Sequence, residues 1–426
     1  MIFSDMKQRK VRNKAKLDAM RRIFVKFTIT FFSLIAVFVL FSVFVCWLPD
    51  RAVKEHVSQI APVLHEQGIY PQAIIKKEVC QQDNFTDALI LNQMFCIDRK
   101  SPLKSAMAMQ RVEYEPSYDM VASLHRTVCY EQGGWLVSYP RYWHGGTFLF
   151  RTLLMFMDYY ALQWLLYAVS SLLLALFLCL FYARVGIAKT FAFLFSWLLT
   201  YGFVTQFSMQ FFPAQMLSLV ACILVVRHRD NTPYLAMLFF VIACLTCYLD
   251  LLTTPLLTLG WPLIVWVSMQ DSAKLRNRDT IVSMMGWCLL WGLGYALTFA
   301  AKWCLGSVVL GMNVLKDATD TVLYRVGTED YTRWDAIVRN FKMISWGGVI
   351  IVLVVMSVIS ALRFRAGGAF KAGLLLVLAF MPYIWYFLLS NHSYQHFWFT
   401  YRLQAVTLAA LFMAVLSLHQ GDALKS

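Results

Sequence analysis

From Phe27 to Pro49 the chain has no charged residue, and nine lysines and arginines stand ahead of that run. A hydrocarbon core of about 30 Å is crossed by about 20 apolar residues in a helix, so this run commits the chain to a bilayer. A basic leader before an apolar run also describes a signal peptide, but this run is too long and lacks a small-residue cleavage site. It reads as a retained first transmembrane helix, 27–49, preceded by a basic cytoplasmic segment, 1–26.

Further apolar runs follow at 159–183, 190–208, 211–226, 232–249, 251–269, 281–301, 344–362, 372–390 and 403–418. Together they predict an all-α polytopic membrane protein of about ten transmembrane helices, its bundle occupying 159–426. Pro213, Pro255 and Pro382 start or kink helices, which neighbouring helices tolerate inside a membrane. Only 15% of the 426 residues are charged, against about 25% in a soluble domain. No internal repeat of the kind that builds many transporters stands out.

Charge sets the expected orientation. With the N-terminus inside, the cytoplasmic pieces are 1–26, 184–189, 227–231, 271–279, 363–371 and 419–426. They hold 20 of the 38 lysines and arginines and 6 of the 24 acidic residues, leaving 18 of each elsewhere. The whole net charge of +14 therefore falls on the side where positive charge collects. Both termini are expected in the cytoplasm, in a plasma (inner) membrane, and a nucleic-acid partner is excluded with the same argument. The ten cysteines form no CxxC pair and show no metal spacing. A Cys80–Cys96 bridge in the external loop is open, and depends on an oxidising compartment.

Two stretches break the apolar pattern, and both are expected outside. The first, 50–158, is too polar to span and too long for a mere connector. The second is 302–343, where Trp334, Ile337, Val338 and Phe341 share one helical face among charged neighbours. That spacing predicts an amphipathic helix on the membrane surface or over a cavity.

The polar side chains near the membrane surface gather on this external side. Asp83 and Asp87 stand four apart at a helix start, so they share a face. One could act as general base on an acceptor hydroxyl while the other orients it or holds a divalent cation. The plainer alternative is an N-cap and a residue complementing the helix dipole. Asn84-Phe85-Thr86 is also a glycosylation sequon, relevant only in a secretory pathway that reads it. In Ser138–Gly146, Arg141 and His144 can grip phosphate oxygens and the rings can stack on a sugar, or the segment is an interfacial aromatic belt. In Asn391–Arg402, His392 and His396 are spaced for a metal on a helix, with no acidic residue or cysteine nearby to complete it. Arg402 there suits a lipid phosphate. Asp250, in an almost wholly apolar stretch, is costly unless it faces a cavity, a partner or water at a turn. Lys302 and Arg151 lie at helix ends on the same side.

This layout resembles the GT-C class of polytopic membrane glycosyltransferases, in which a first helix starting in the cytoplasm leads into a long external loop with a catalytic acid. The resemblance covers the chain in topology, and in motif it rests on Asp83-Asn84-Phe85-Thr86-Asp87-Ala88, Tyr142-Trp143-His144-Gly145 and Asn391-His392-Ser393-Tyr394. The acidic pair usual directly after the first helix is absent here, where Asp50 stands alone. The resemblance implies a polyprenyl-phosphate-linked sugar donor and a glycan or lipid acceptor. It also implies Asp87 or Asp83 as base, Arg141, Arg402 or Lys302 on the departing phosphate, and no certain cofactor. A flippase for lipid-linked oligosaccharides would instead place charges along a path through the membrane. A non-catalytic assembly protein would tolerate loss of Asp83, Asp87 and Asp250.

Overall fold

The computed structural model describes residues 2–72, 74, 78–204, 208–328, 331–361 and 368–418. Residues 363–367 and 419–426, counted above among the basic segments, lie outside the described residues.

The apolar run at the start becomes the end of one continuous helix, α1 (Ile2–Trp47), so the basic leader is helical too. The 50–158 segment then folds as five helices, α2 (Arg51–Gln67), α3 (Asn84–Phe95), α4 (Pro102–Ala108), α5 (Met120–Val128) and α6 (Gly145–Leu154). A short antiparallel ribbon, β1 (Arg111–Glu113) with β2 (Trp135–Val137), pairs Arg111 with Val137. Val53, Val57, Ile60 and Leu64 repeat at helical spacing along α2 and bury against α3 and α5. This small core runs on through Phe150 and Leu154 into Leu162 and Leu166 of the next helix, so the segment is packed onto the bundle.

The bundle comprises α7 (Tyr159–Val185), α8 (Ile187–Leu199), α9 (Phe212–His228), α10 (Thr232–Leu249), α11 (Leu257–Met269), α12 (Ser272–Arg276) and α13 (Arg278–Leu310). It continues with α14 (Val314–Val326), α15 (Arg333–Lys342), α16 (Trp346–Ala361), α17 (Ala369–Ala379), α18 (Met381–Leu388), α19 (Ser390–Gln395), α20 (Phe397–Thr400) and α21 (Gln404–Ser417). Among the described residues six helices are long and apolar enough to cross a membrane: Met20–Trp47, Tyr159–Val185, Thr232–Leu249, Arg278–Leu310, Ala369–Leu388 and Phe397–Ser417. A seventh counts if α15 and the start of α16, bent by 69° at their junction, form one broken span. This is an all-α membrane protein.

Of the ten apolar runs, three are helices too short to cross alone, α8, α9 and α11. Thirteen residues, the length of α8 and of α11, rise only about 20 Å. The cause is local. Asp250 leaves the helix and accepts the Thr253 N–H at 2.9 Å, and Pro255 removes a donor ahead of α11, so 250–256 stay unwound.

Stretch 302–343 also departs from its expected form. Residues 302–310 are the last turns of α13, and α14 and α15 follow as separate helices. In α15 the inward face is Ala336 and Asn340, while Trp334 is 69% exposed. Asn340 decides the rotation: its amide donates to Ser393 O at 2.8 Å and accepts from Thr400 Oγ1 at 2.7 Å.

Glycine sets the closest helix approaches. A Cβ on Gly294 of α13 would sit 2.7 Å from Phe240 O of α10, and one on Gly260 would sit 2.7 Å from Val406.

The bundle has two distinct ends. At one, the short basic links converge: Lys189 donates to Ser268 O at 3.2 Å, Trp266 to Arg229 O at 2.9 Å, and Lys274 pairs with Asp230 at 2.7 Å. Lys371 reaches Gln270 O at the same end. At the other, α2–α6 are stapled down. Arg151 is fully buried and donates to Val45 O at 2.7 Å and Leu48 O at 3.2 Å, closing the C-terminus of α1 with a cation. Trp143 donates to Thr298 O at 2.8 Å, and Lys302 to Met107 O at 3.0 Å.

Candidate functional site

Asp83 caps α3 by accepting the Thr86 N–H at 2.9 Å, and its second oxygen receives the Trp398 indole N–H at 3.4 Å. Asp87 accepts from Tyr159 OH at 2.8 Å, Ser208 Oγ at 3.3 Å and the Met209 N–H at 3.4 Å. They are 2% and 3% exposed. Burial pushes their carboxyls up, Asp83 to about 6 and Asp87 to about 7, against the hydrogen bonds that oppose it. Asp87 fastens α3 to α7 and to the link before α9. Asp83 is a cap tied to the α19–α20 region.

An assembly of unsatisfied polar groups lies elsewhere on this end. A crevice of about 400 Å3 is lined by Arg141, Asp317, Asp320, Arg325, His392 and His396, with Tyr324 and Gln395. Arg141 and Arg325 also line an adjoining cavity of about 310 Å3, otherwise walled by Tyr142, Tyr295, Phe299, Trp303, Val322 and Trp385. A polar chamber thus opens into an aromatic one, with two guanidinium groups at the junction.

Their partners differ. Arg141 donates to both oxygens of Asp317 at 2.9 and 3.0 Å. Arg325 donates to Tyr142 OH and packs over that ring, and no carboxylate pairs with it among the described residues. The orphaned atoms converge here as well. His392 Nδ1, His396 Nδ1, Tyr295 OH, Trp385 Nε1 and Arg141 Nε are buried without a partner.

His392 gives its other nitrogen to Leu252 O at 3.1 Å, which requires Nε2 to carry the proton and leaves Nδ1 as an acceptor. Burial, with Arg325 nearby, holds His392 well below its ordinary pKa and His396 at about 4, so both are neutral at pH 7. The chamber therefore offers cationic donors for an anion, imidazole acceptors for hydroxyls, and one carboxylate, Asp320, that makes no ion pair among the described residues.

The remaining candidates from sequence are distributed around this crevice. Asp250 is buried and holds the 250–253 turn by accepting the Thr253 N–H, and that turn presents Leu252 O to His392. His144 is buried, bonded to Tyr139 O at 2.8 Å, and pushed down to about 3 by burial and by Lys302. Lys302 turns to the carbonyls of Ala106 and Met107, away from both chambers. Arg402 lines a separate small cavity. His392 and His396 have ring centres 4.9 Å apart, and no group of three His, Cys, Asp or Glu able to hold a metal occurs among the described residues. Cys80 and Cys96 form no disulfide.

Matched against family models, curated proteins and solved structures, the chain finds no counterpart in any of the three. The site's own chemistry carries the reading that follows.

Sequence reasoning missed Arg325, Asp317, Asp320 and Tyr324. All four sit on α14, inside a stretch read as one amphipathic surface segment. The available signal was charge at positions 317, 320 and 325, spaced to share one side of a helix.

Proposed function

We propose that the protein is a membrane glycosyltransferase of GT-C type, moving a sugar from a polyprenyl-phosphate donor to a cell-envelope glycan or lipid acceptor. One observation carries the reading: Arg325, without a carboxylate partner, stands where a polar crevice meets an aromatic-walled cavity. An amphiphile with an anionic junction fits both halves. The lipid lies along Phe299, Trp303 and Val322, the phosphate meets Arg325 and Arg141, and the sugar hydroxyls meet the free His392 and His396 nitrogens.

The step is a single displacement. An acceptor oxygen forms its bond to the anomeric carbon, the bond from that carbon to the phosphate oxygen breaks, and the acceptor proton passes to a carboxylate. The leaving phosphate gains negative charge as the bond breaks, and the guanidinium groups stabilise it. Asp320, unpaired on the crevice wall, takes the proton. Asp83 and Asp87, whose oxygens are already engaged, hold the α3 region against the α19–α20 and α7–α9 elements.

In this reading ten segments cross the membrane, the short α8, α9 and α11 completing their crossings with adjoining non-helical stretches. The basic end faces the cytoplasm with both termini, and the crevice opens on the extracytoplasmic side of the plasma membrane. The test is transfer of radiolabelled sugar from a panel of polyprenyl-phosphate donors in proteoliposomes. Labelled product with inverted anomeric configuration supports the reading. Donor crossing the bilayer without any transfer would replace it with a flippase.

A further inference from the structure

A second cavity on the loop end is far smaller, about 20 Å3, and lies between the end of α8, α9, the start of α11 and the turn before α21. Arg402, 3% exposed, lines it, with Trp197, Thr200, Phe211, Thr254 and Trp261. Arg402 places one nitrogen near the carbonyls of Val79 and Gln81, both at 3.5 Å, and stacks over Phe211 at 4.7 Å. Its Nε and Nη1 have no partner among the described residues, and neither do the indole nitrogens of Trp197 and Trp261. No carboxylate lines the cavity, and none pairs with Arg402 among the described residues. Asp83 is near enough to feel the Arg402 charge, but its oxygens receive the Thr86 amide and the Trp398 indole.

These four unsatisfied nitrogens are all donors, and two of them carry the buried positive charge of Arg402. We propose that this cavity is a binding site for one small monatomic anion of chloride size. A buried cation without a counter-charge is expensive, and an anion held by several N–H groups removes that cost. The volume admits about one water-sized sphere, which leaves no room for a phosphate group. The bound anion ties the last span to α8, α9 and α11. This inference is independent of glycosyl transfer, since no sugar donor enters its test.

The full chain, purified in detergent with gluconate as the only anion, is titrated with chloride at constant ionic strength. Unfolding is followed by tryptophan fluorescence. The proposal expects a saturable rise in Tm with chloride or bromide and none with sulfate. Arg402→Gln abolishes the rise. Trp261→Phe keeps the ring and removes one donor, so it raises the half-saturating chloride concentration about tenfold or more. That variant keeps the test decisive if Arg402→Gln does not fold. Equal Tm in chloride and gluconate, or a Trp261→Phe response matching wild type, would overturn the site.

Discussion

Asp87 shows what a buried carboxyl does to stability. Its ordinary pKa is 3.8, and burial, with Asp83 as a like-charged neighbour, raises it to about 7 in the folded chain. Between these two values the folded state keeps a proton that the unfolded chain has released. Stability therefore falls as pH rises through this window and stays lower above it. Asp87→Asn still offers one oxygen to Tyr159 and Met209 and an amide to the Ser208 hydroxyl. The variant should show a shallower decline of Tm between about pH 4 and pH 7, though Asp83, shifted the same way, keeps some slope. An unchanged slope would mean that Asp87 is not the protonated group. Lys302 makes the opposite kind of case. Its ammonium serves two carbonyls of the 106–107 turn, so Lys302→Met should cost about 1–3 kcal/mol of stability. The KM for donor should not move; a raised KM with stability intact would return Lys302 to the binding site.

Whole elements were easier to read from the chain than their ends. Each apolar run holds a helix, because a backbone in hydrocarbon satisfies its N–H and C=O groups within one segment only that way. The short lengths of α8 and α11 were hidden, since residues such as Phe203 and Leu251 are as apolar as their helical neighbours. What delays the start of α11 is a turn built from Asp250 and Thr253, which hydropathy does not register. Spacing along α15 picked out the apolar face with Trp334 and Phe341, which lies outward, and the inward face is set by one amide, Asn340, whose partners lie 53 and 60 residues away. Asn340→Ala leaves the Thr400 hydroxyl and the Ser393 carbonyl unanswered, and should destabilise the protein by about 2–3 kcal/mol in thermal unfolding. A loss near zero would show that α15 is held by its apolar contacts alone.

At the scale of the molecule, the charge pattern anticipated one feature well: the short basic links come together at a single end, opposite the packed α2–α6 segment. The candidate site was only half legible. Arg141, His392 and His396 line the crevice, but their chief partner, Arg325, comes from a helix that the sequence presents as an ordinary amphipathic surface. Only the fold brings position 325 against position 142. Orientation in the membrane has a direct check. Cys129, exposed at the end of α5, should react with a membrane-impermeant maleimide added outside intact cells, and Cys129→Ser should remove that labelling. Reaction only after lysis would invert the topology. The account as a whole turns on Arg325. Sugar transfer in proteoliposomes should be measured for wild type, Arg325→Met and Lys302→Met, each at matched folded protein. The account predicts that Arg325→Met lowers transfer by about a hundredfold or more, as loss of a group stabilising the departing phosphate should, while Lys302→Met stays near wild type. Undiminished transfer by Arg325→Met would contradict it and move the reaction away from this crevice.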